Sequence, residues 1–209
     1  MDTVMETLST TEAAVAAGVS LPQINRVIDE RILPVHWYST SPVRSFRTDA
    51  CLFIAFYYET AEWLTASARL ETIRNAAARR SSWNEWKDYA VSGQLMTLQF
   101  GNLWKAVDER LKKLARAEAM VVEDPEILSG TPVIRGTRIP VHSVAALFDA
   151  GTPITEILEM YPRLTESQVE LASIYSKAVP QRGRPKRMEL PVGAKVIGVT
   201  RGSLKTRSI

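Results

Sequence analysis

Hydrophobic and polar positions along this 209-residue chain switch between helical spacing and short β-prone runs. Ile24, Val27 and Ile28 recur on one face of a helix predicted over residues 21–32. A shorter helix, 11–17, precedes it. Ser9 with Glu12 three positions on gives that helix a capping-box start. Ala17-Gly18-Val19-Ser20 connects the two tightly, with Ser20 as a cap and Pro22 in the following first turn. Runs at 35–38 and 43–47 flank Ser-Thr-Ser-Pro and predict a hairpin. Residues 49–64 are apolar almost all round, which predicts a helix buried on most faces, and Thr65 opens another that ends near residue 79. The period changes at 86–91 and 95–100. These runs flank Ser92-Gly93 and predict a second hairpin, with Trp83 and Trp86 assigned to the core rather than to a partner-facing patch. Leu103, Val107, Leu111, Leu114 and Ala115 then stripe a long helix over 102–120. Lys105, Arg110, Lys112, Lys113 and Arg116 fill its other, solvated face.

A third hairpin is predicted where Pro132-Val133-Ile134 and Ile139-Pro140-Val141 flank Arg135-Gly136-Thr137-Arg138, because Gly accepts the positive φ of a tight turn. Its prolines keep both strands short and at an edge, and Arg135 and Arg138 are expected to pair with Glu123 or Asp124. Three short helices follow, over 141–149, 154–161 and 165–178. The fold expected is mainly α. A winged helix-turn-helix with following helices spans 1–80, a hairpin and connecting helix 81–120, a three-helix, helix-turn-helix-like domain 121–180, and an extended tail 181–209.

Charge sharpens this division. The last 29 residues carry eight basic side chains against Glu189, a net +7, which leaves the first 180 at −4 of the chain's +3. Such a tail suits an acidic or polyanionic partner. Residues 121–180 hold four basic and eight acidic residues, and outward Glu166 and Glu170 would repel phosphates, so a dimerisation or scaffold role is preferred there. Arg182-Gly183-Arg184-Pro185 also matches the core of a minor-groove hook for A/T-rich DNA, with Arg182 and Arg184 as the inserting residues, although a flexible linker is the simpler reading. Cys51 lies in an apolar run and reads as a small buried hydrophobe, in keeping with a reducing cytoplasm. No run is long enough to span a membrane, and no secretory signal is recognisable at the start. His36 and His142 lack neighbouring carboxylates or cysteines. No metal-ligand spacing, nucleophile elbow or phosphate loop is present, so neither an enzyme nor a cofactor is expected.

On the second predicted helix, Gln23, Asn25 and Arg26 are left outward behind Ser20, and the wing holds Arg44 and Arg47. Amide and guanidinium groups in those places can contact base edges in a major groove. The stretch from Ser9 to Ser20, STTEAAVAAGVS, with the helix and wing that follow, resembles the MerR and excisionase class of winged helix-turn-helix. Against DNA reading, residues 1–50 carry four arginines and six acids, so a single copy suits phosphate poorly and the module could serve protein contact alone. A dimer doubles the favourable contacts. The stretch 124–141, DPEILSGTPVIRGTRIPV, is similar to a small family, long described as a domain of unknown function, that occurs beside PIN-like nuclease toxins. The similarity covers about a third of the chain, from roughly residue 119 to 185.

Members of that family with an extra helix-turn-helix look like VapB-type antitoxins. The resemblance therefore implies an antitoxin whose partners are operator DNA and a PIN-like ribonuclease toxin with an acidic Mg²⁺ or Mn²⁺ site, assembled on a homodimer. The tail would then be the inhibitory element. Lys195, Arg201, Lys205 and Arg207 match the charge of an acidic cleft, and Val199 and Leu204 add apolar burial. Two other classes stay open: a free-standing regulator whose middle helices sense a ligand, and an enzyme with a dispersed site.

Overall fold

The computed structural model describes residues 7–79, 82–93 and 97–181. Its first helix, α1 (Thr10–Ala17), starts on the reciprocal cap expected from Ser9 and Glu12. Ser9 Oγ accepts from the Glu12 N–H at 3.3 Å, and Glu12 Oε2 accepts from the Ser9 N–H at 2.7 Å. It ends at Gly18, where φ is 71° and a side chain would be strained. Ala13, Ala14, Ala16 and Ala17 are all buried. Their small size lets four other helices approach this one.

The second helix, α2 (Leu21–Asp29), turns Ile24, Val27 and Ile28 inward. It stops three residues short of the expected end because Arg31 takes a positive φ of 52°. The wing is a three-stranded antiparallel sheet in the order β1-β3-β2, made of β1 (Thr7–Ser9), β2 (Tyr38–Ser39) and β3 (Ser45–Arg47). Two strands were expected here. The third, β1, pairs Leu8 with Phe46, and both side chains are fully buried. Most of the expected strand at 35–38 is instead a 3-10 turn, Val35–Trp37, which delivers Trp37 to the core.

The buried helix α3 (Thr48–Glu59) is enclosed over ten consecutive residues and ends five residues before the expected point. Thr60 Oγ donates back to the Phe56 carbonyl at 2.6 Å, closing the last turn. Thr65 caps α4 (Ala66–Ala77). The expected run at 86–91 divides into a 3-10 helix, Trp83–Asp88, and a short strand β4 (Ala90–Ser92) that pairs with β5 (Thr97–Gln99). Trp86 is buried, as its core assignment requires. Phe53 stacks on Trp37 at 4.8 Å and meets the edge of Trp86 at 4.9 Å, and the Trp86 indole N–H donates to Asp49 at 3.2 Å.

The long helix α5 (Gly101–Met120) serves two cores. Val107 and Leu114 pack with the winged module, whereas Ala117 and Met120 pack with the C-terminal helices. Its basic face is not wholly solvated. Arg110 donates to the Ala17 carbonyl at 3.2 Å, reaches Glu59 at 3.9 Å and lies over Gly18, where an added Cβ would meet its guanidinium carbon at 2.6 Å.

Beyond α5, β6 (Val121–Val122) pairs antiparallel with β7 (Val133–Ile134). The third expected hairpin forms beside it and is short: its two runs meet at an antiparallel Val133–Pro140 bridge, where the Ile134 N–H donates to the Ile139 carbonyl and the Val141 N–H to the Pro132 carbonyl, both at 3.0 Å. The prolines leave too few donors for a longer ladder. Helices α6 (Val141–Asp149), α7 (Ile154–Met160) and α8 (Glu166–Ala178) complete the second core. The end of α8 returns to the first core: Ala178 is buried there, and Thr11 Oγ donates to its carbonyl at 2.6 Å. Among the described residues, no helix is long and apolar enough to cross a membrane.

Candidate nucleic-acid interface

The six residues expected to read DNA fall on or beside α2 and the wing, and the structure joins four of them in two groups, Ser20 with Gln23 and Asn25 with Arg44. Ser20 and Gln23 form one pair at the start of α2. The Ser20 N–H and hydroxyl both donate to Gln23 Oε1 at 2.8 Å. Gln23 therefore closes a capping box, which holds its carboxamide at the helix N-terminus with the NH₂ directed to other partners.

The second group ties the wing to the helix. Arg44 donates through one nitrogen to Asn25 Oδ1 at 3.2 Å and through the other to Asp29 at 3.5 Å. Arg26 donates from Nε to Glu30 at 2.6 Å, one turn further along α2. Asn25, half-buried, and Arg44 are thus in direct contact, while Arg26 follows Asn25 on α2 and is tied to Glu30. Arg47 stands apart at the end of β3 and pairs with Asp49 at 3.0 Å. That carboxylate is nearly buried and also accepts from Trp86, so Arg47 is anchored to the fold.

All three arginines are more than two-fifths exposed, at 57%, 43% and 55% for Arg26, Arg44 and Arg47. Exposed pairs of this kind are screened by solvent and contribute little, so a phosphate can take the place of either surface carboxylate at little cost. Sequence reasoning missed the carboxylate partners. Arg26 and Glu30 are legible as an i,i+4 pair. The Arg44–Asp29 contact spans fifteen positions and has no local signal.

In the C-terminal region, Arg135 and Arg138 do not make the expected ion pairs with Glu123 or Asp124. Arg135 Nε donates to the Ala119 carbonyl at 3.1 Å instead, because β7 lies against the end of α5. Asp124 accepts from the Glu126 N–H at 2.9 Å, and Glu123 accepts weakly from the Tyr175 hydroxyl at 3.5 Å. The expected tail residues, Lys195, Val199, Arg201, Leu204, Lys205 and Arg207, and the candidate minor-groove pair Arg182 and Arg184, lie outside the described residues. Burial pushes the Cys51 thiol up to about 12, as befits an inert core side chain. Among the described residues, no group of three or more His, Cys, Asp or Glu is placed to hold a metal.

Residues 121–176 match a family model described as a protein of unknown function, DUF433. The uncharacterized protein y4eO of Sinorhizobium fredii is 42% identical over 205 residues, covering 94% of this chain and 93% of that protein. The chain belongs to the same family as y4eO. No solved structure matches it. The similarity to y4eO spans the winged module, the connecting helix and the DUF433 segment.

Within the DUF433 segment, much of the GTRIPV stretch has a structural role. Thr137 Oγ donates to the Ile134 carbonyl at 2.7 Å and accepts from the Ile139 N–H at 3.1 Å. Gly136 supplies the positive φ of 75° that the turn requires.

Proposed function

We propose that this protein is a DNA-binding antitoxin, which represses its own operon as a homodimer and neutralises a PIN-like ribonuclease partner. The observation that carries the DNA-binding half is the contact of Arg44 with Asn25. It places the wing and the exposed side of α2 on one face, so a helix in the major groove and a basic wing on the flanking phosphates can engage together. Asn25 offers an amide for a base edge, while Arg26, Arg44 and Arg47 supply charge-assisted hydrogen bonds to phosphate.

The antitoxin half rests on the DUF433 segment and on the charge of residues 181–209. A PIN-like toxin holds its metal with clustered carboxylates, and a guanidinium from Arg201 or Arg207, or the Lys205 ammonium, can occupy the position of that charge. Neutralisation is then occlusion rather than chemistry.

Expression of the chain with its neighbouring reading frame, followed by size-exclusion chromatography with mass measurement, tests both halves. A stable complex that inhibits no longer when residues 188–209 are removed supports the antitoxin. Binding of the same protein to the duplex upstream of its own reading frame supports the repressor. A protein that elutes without a partner but still binds that duplex favours a stand-alone regulator. That second reading has its own observation, a cavity of about 500 Å³ lined by Phe56, Glu59, Trp63, Leu64 and Phe100, where the middle helices could admit a ligand.

A further inference from the structure

Two carboxylates on the recognition helix have no stabilising role that accounts for their placement. Asp29 is the last residue of α2 and Glu30 is its C-cap, at the end where the helix dipole disfavours negative charge. The first turn, where an acid would help, has none. Both side chains are about half exposed, at 62% and 47%, and each meets an arginine of the same face: Asp29 holds Arg44 at 3.5 Å, and Glu30 holds Arg26 at 2.6 Å. Exposed pairs contribute little to folding. Asp49 is the contrast, since it is nearly buried, sits in the first turn of α3 and accepts from Trp86 as well as Arg47.

We propose that Asp29 and Glu30 set the specificity of the DNA-binding face by competing with phosphate for Arg44 and Arg26. This inference rests on the DNA-binding reading above. On an arbitrary duplex, a phosphate must displace a carboxylate already bound and must also approach two negative charges on the helix end. The electrostatic term that drives sequence-independent binding is thereby reduced. On the cognate site, contacts from Asn25 and Gln23 to base edges add to the phosphate contacts and offset the exchange. The arrangement weakens binding everywhere but weakens it most where no base is read.

The test uses the full chain with Asp29→Asn and Glu30→Gln, which keep hydrogen-bond acceptors for both arginines and remove the charge. Binding is followed by fluorescence anisotropy between about 50 and 200 mM KCl, a range over which phosphate contacts are strongly screened. One duplex carries the DNA upstream of the protein's own reading frame, and the other is its scrambled counterpart of equal base composition. Affinity for the scrambled duplex is expected to rise about tenfold in the double variant, with a salt slope steeper by about two, while the upstream duplex gains about threefold or less. Equal gains on both duplexes, or no gain on either, would overturn the inference while leaving the DNA-binding reading intact. If neither protein binds either duplex at the lowest salt, that reading fails and the inference fails with it. Asp29→Asn alone perturbs only the contact to the wing. Should the double variant not fold, it carries the test with an expected gain of about threefold on the scrambled duplex.

Discussion

Glu118 illustrates how a single side chain can set the pH response of the junction between the two cores. It sits on α5, partly buried and facing α1, and its carboxyl is pushed up to about 7, first by burial and then by the charge of Glu12. Glu12 cannot swing away, because its carboxylate accepts from the Ser9 N–H at the start of α1. A carboxyl raised in the folded state from 4.5 to about 7 stays protonated there while its unfolded counterpart ionises. Stability therefore falls as pH rises from about 4.5 to about 7, and the full penalty holds above that window. Glu118→Gln removes it. Melting curves of the variant and the parent should coincide near pH 4.5 and separate at pH 8, with the variant higher. His142 acts in the opposite direction, since burial lowers its pKa from 6.5 and protonation of the unfolded chain then costs stability in acid. Taking the difference between variant and parent at each pH cancels the histidine. A difference that does not change with pH would show that Glu118 ionises freely in the fold.

Among the elements, the interlock of α3 with the 3-10 helix at Trp83–Asp88 dominates the first core. Trp86 fills the space beside Tyr89 and Phe53, on which Trp37 stacks, and its indole N–H satisfies Asp49. Trp86→Ala should cost about 3–5 kcal/mol, the usual range for removing a large buried ring. Trp86→Phe keeps much of the apolar volume but withdraws the donor from a nearly buried carboxylate, which should cost about 1–3 kcal/mol. Chemical denaturation of both variants separates packing from hydrogen bonding, and equal losses would show that the Asp49 contact contributes nothing.

The burial of Trp86 was legible, as were the helices, because a 3.6-residue stripe repeats over several turns and Ser9, Ser20, Thr65 and Thr165 announce their starts. Of the short strands, β3, β4, β5 and β7 fall in runs that read as hairpins, whereas β1 and β6 were not legible. A pair such as Val121–Val122 with Val133–Ile134 is two residues long and has no period to read. The return of α8 to α1 was hidden for a different reason. It depends on a threonine hydroxyl meeting a helix-end carbonyl 167 positions away. At the candidate interface, the polar residues of α2 and the wing could be chosen from helix phase, but their partners could not. Arg44 finds Asp29 only once the wing folds over the helix.

At the scale of the whole molecule, the proposed DNA-binding role makes charge decide how many copies can engage a duplex. Residues 1–50 carry four arginines against six acids, and the first 180 residues sum to −4. Of those four arginines, Arg26, Arg44 and Arg47 are the ones assigned to the candidate interface, each more than two-fifths exposed. Three phosphate contacts give a salt slope of about −3 at most, which is weak binding at physiological ionic strength, whereas two copies on one site double the contacts and bring the limit to about −5. Two-fold symmetry would also set the wings on successive half-sites about one helical turn apart. The expected outcome is a binding stoichiometry of two chains per duplex and a free protein of twice the single-chain mass. Shortening the chain after Gln181 for this measurement keeps the basic C-terminal residues from adding contacts of their own. A shortened protein that stays at one chain mass, binds one copy per duplex and shows a slope no steeper than about −3 would confine the winged module to weak, sequence-independent contact. On the proposed antitoxin reading, operator control would then have to come from a complex with the partner, which is measurable by repeating the titration with any complex that co-purifies.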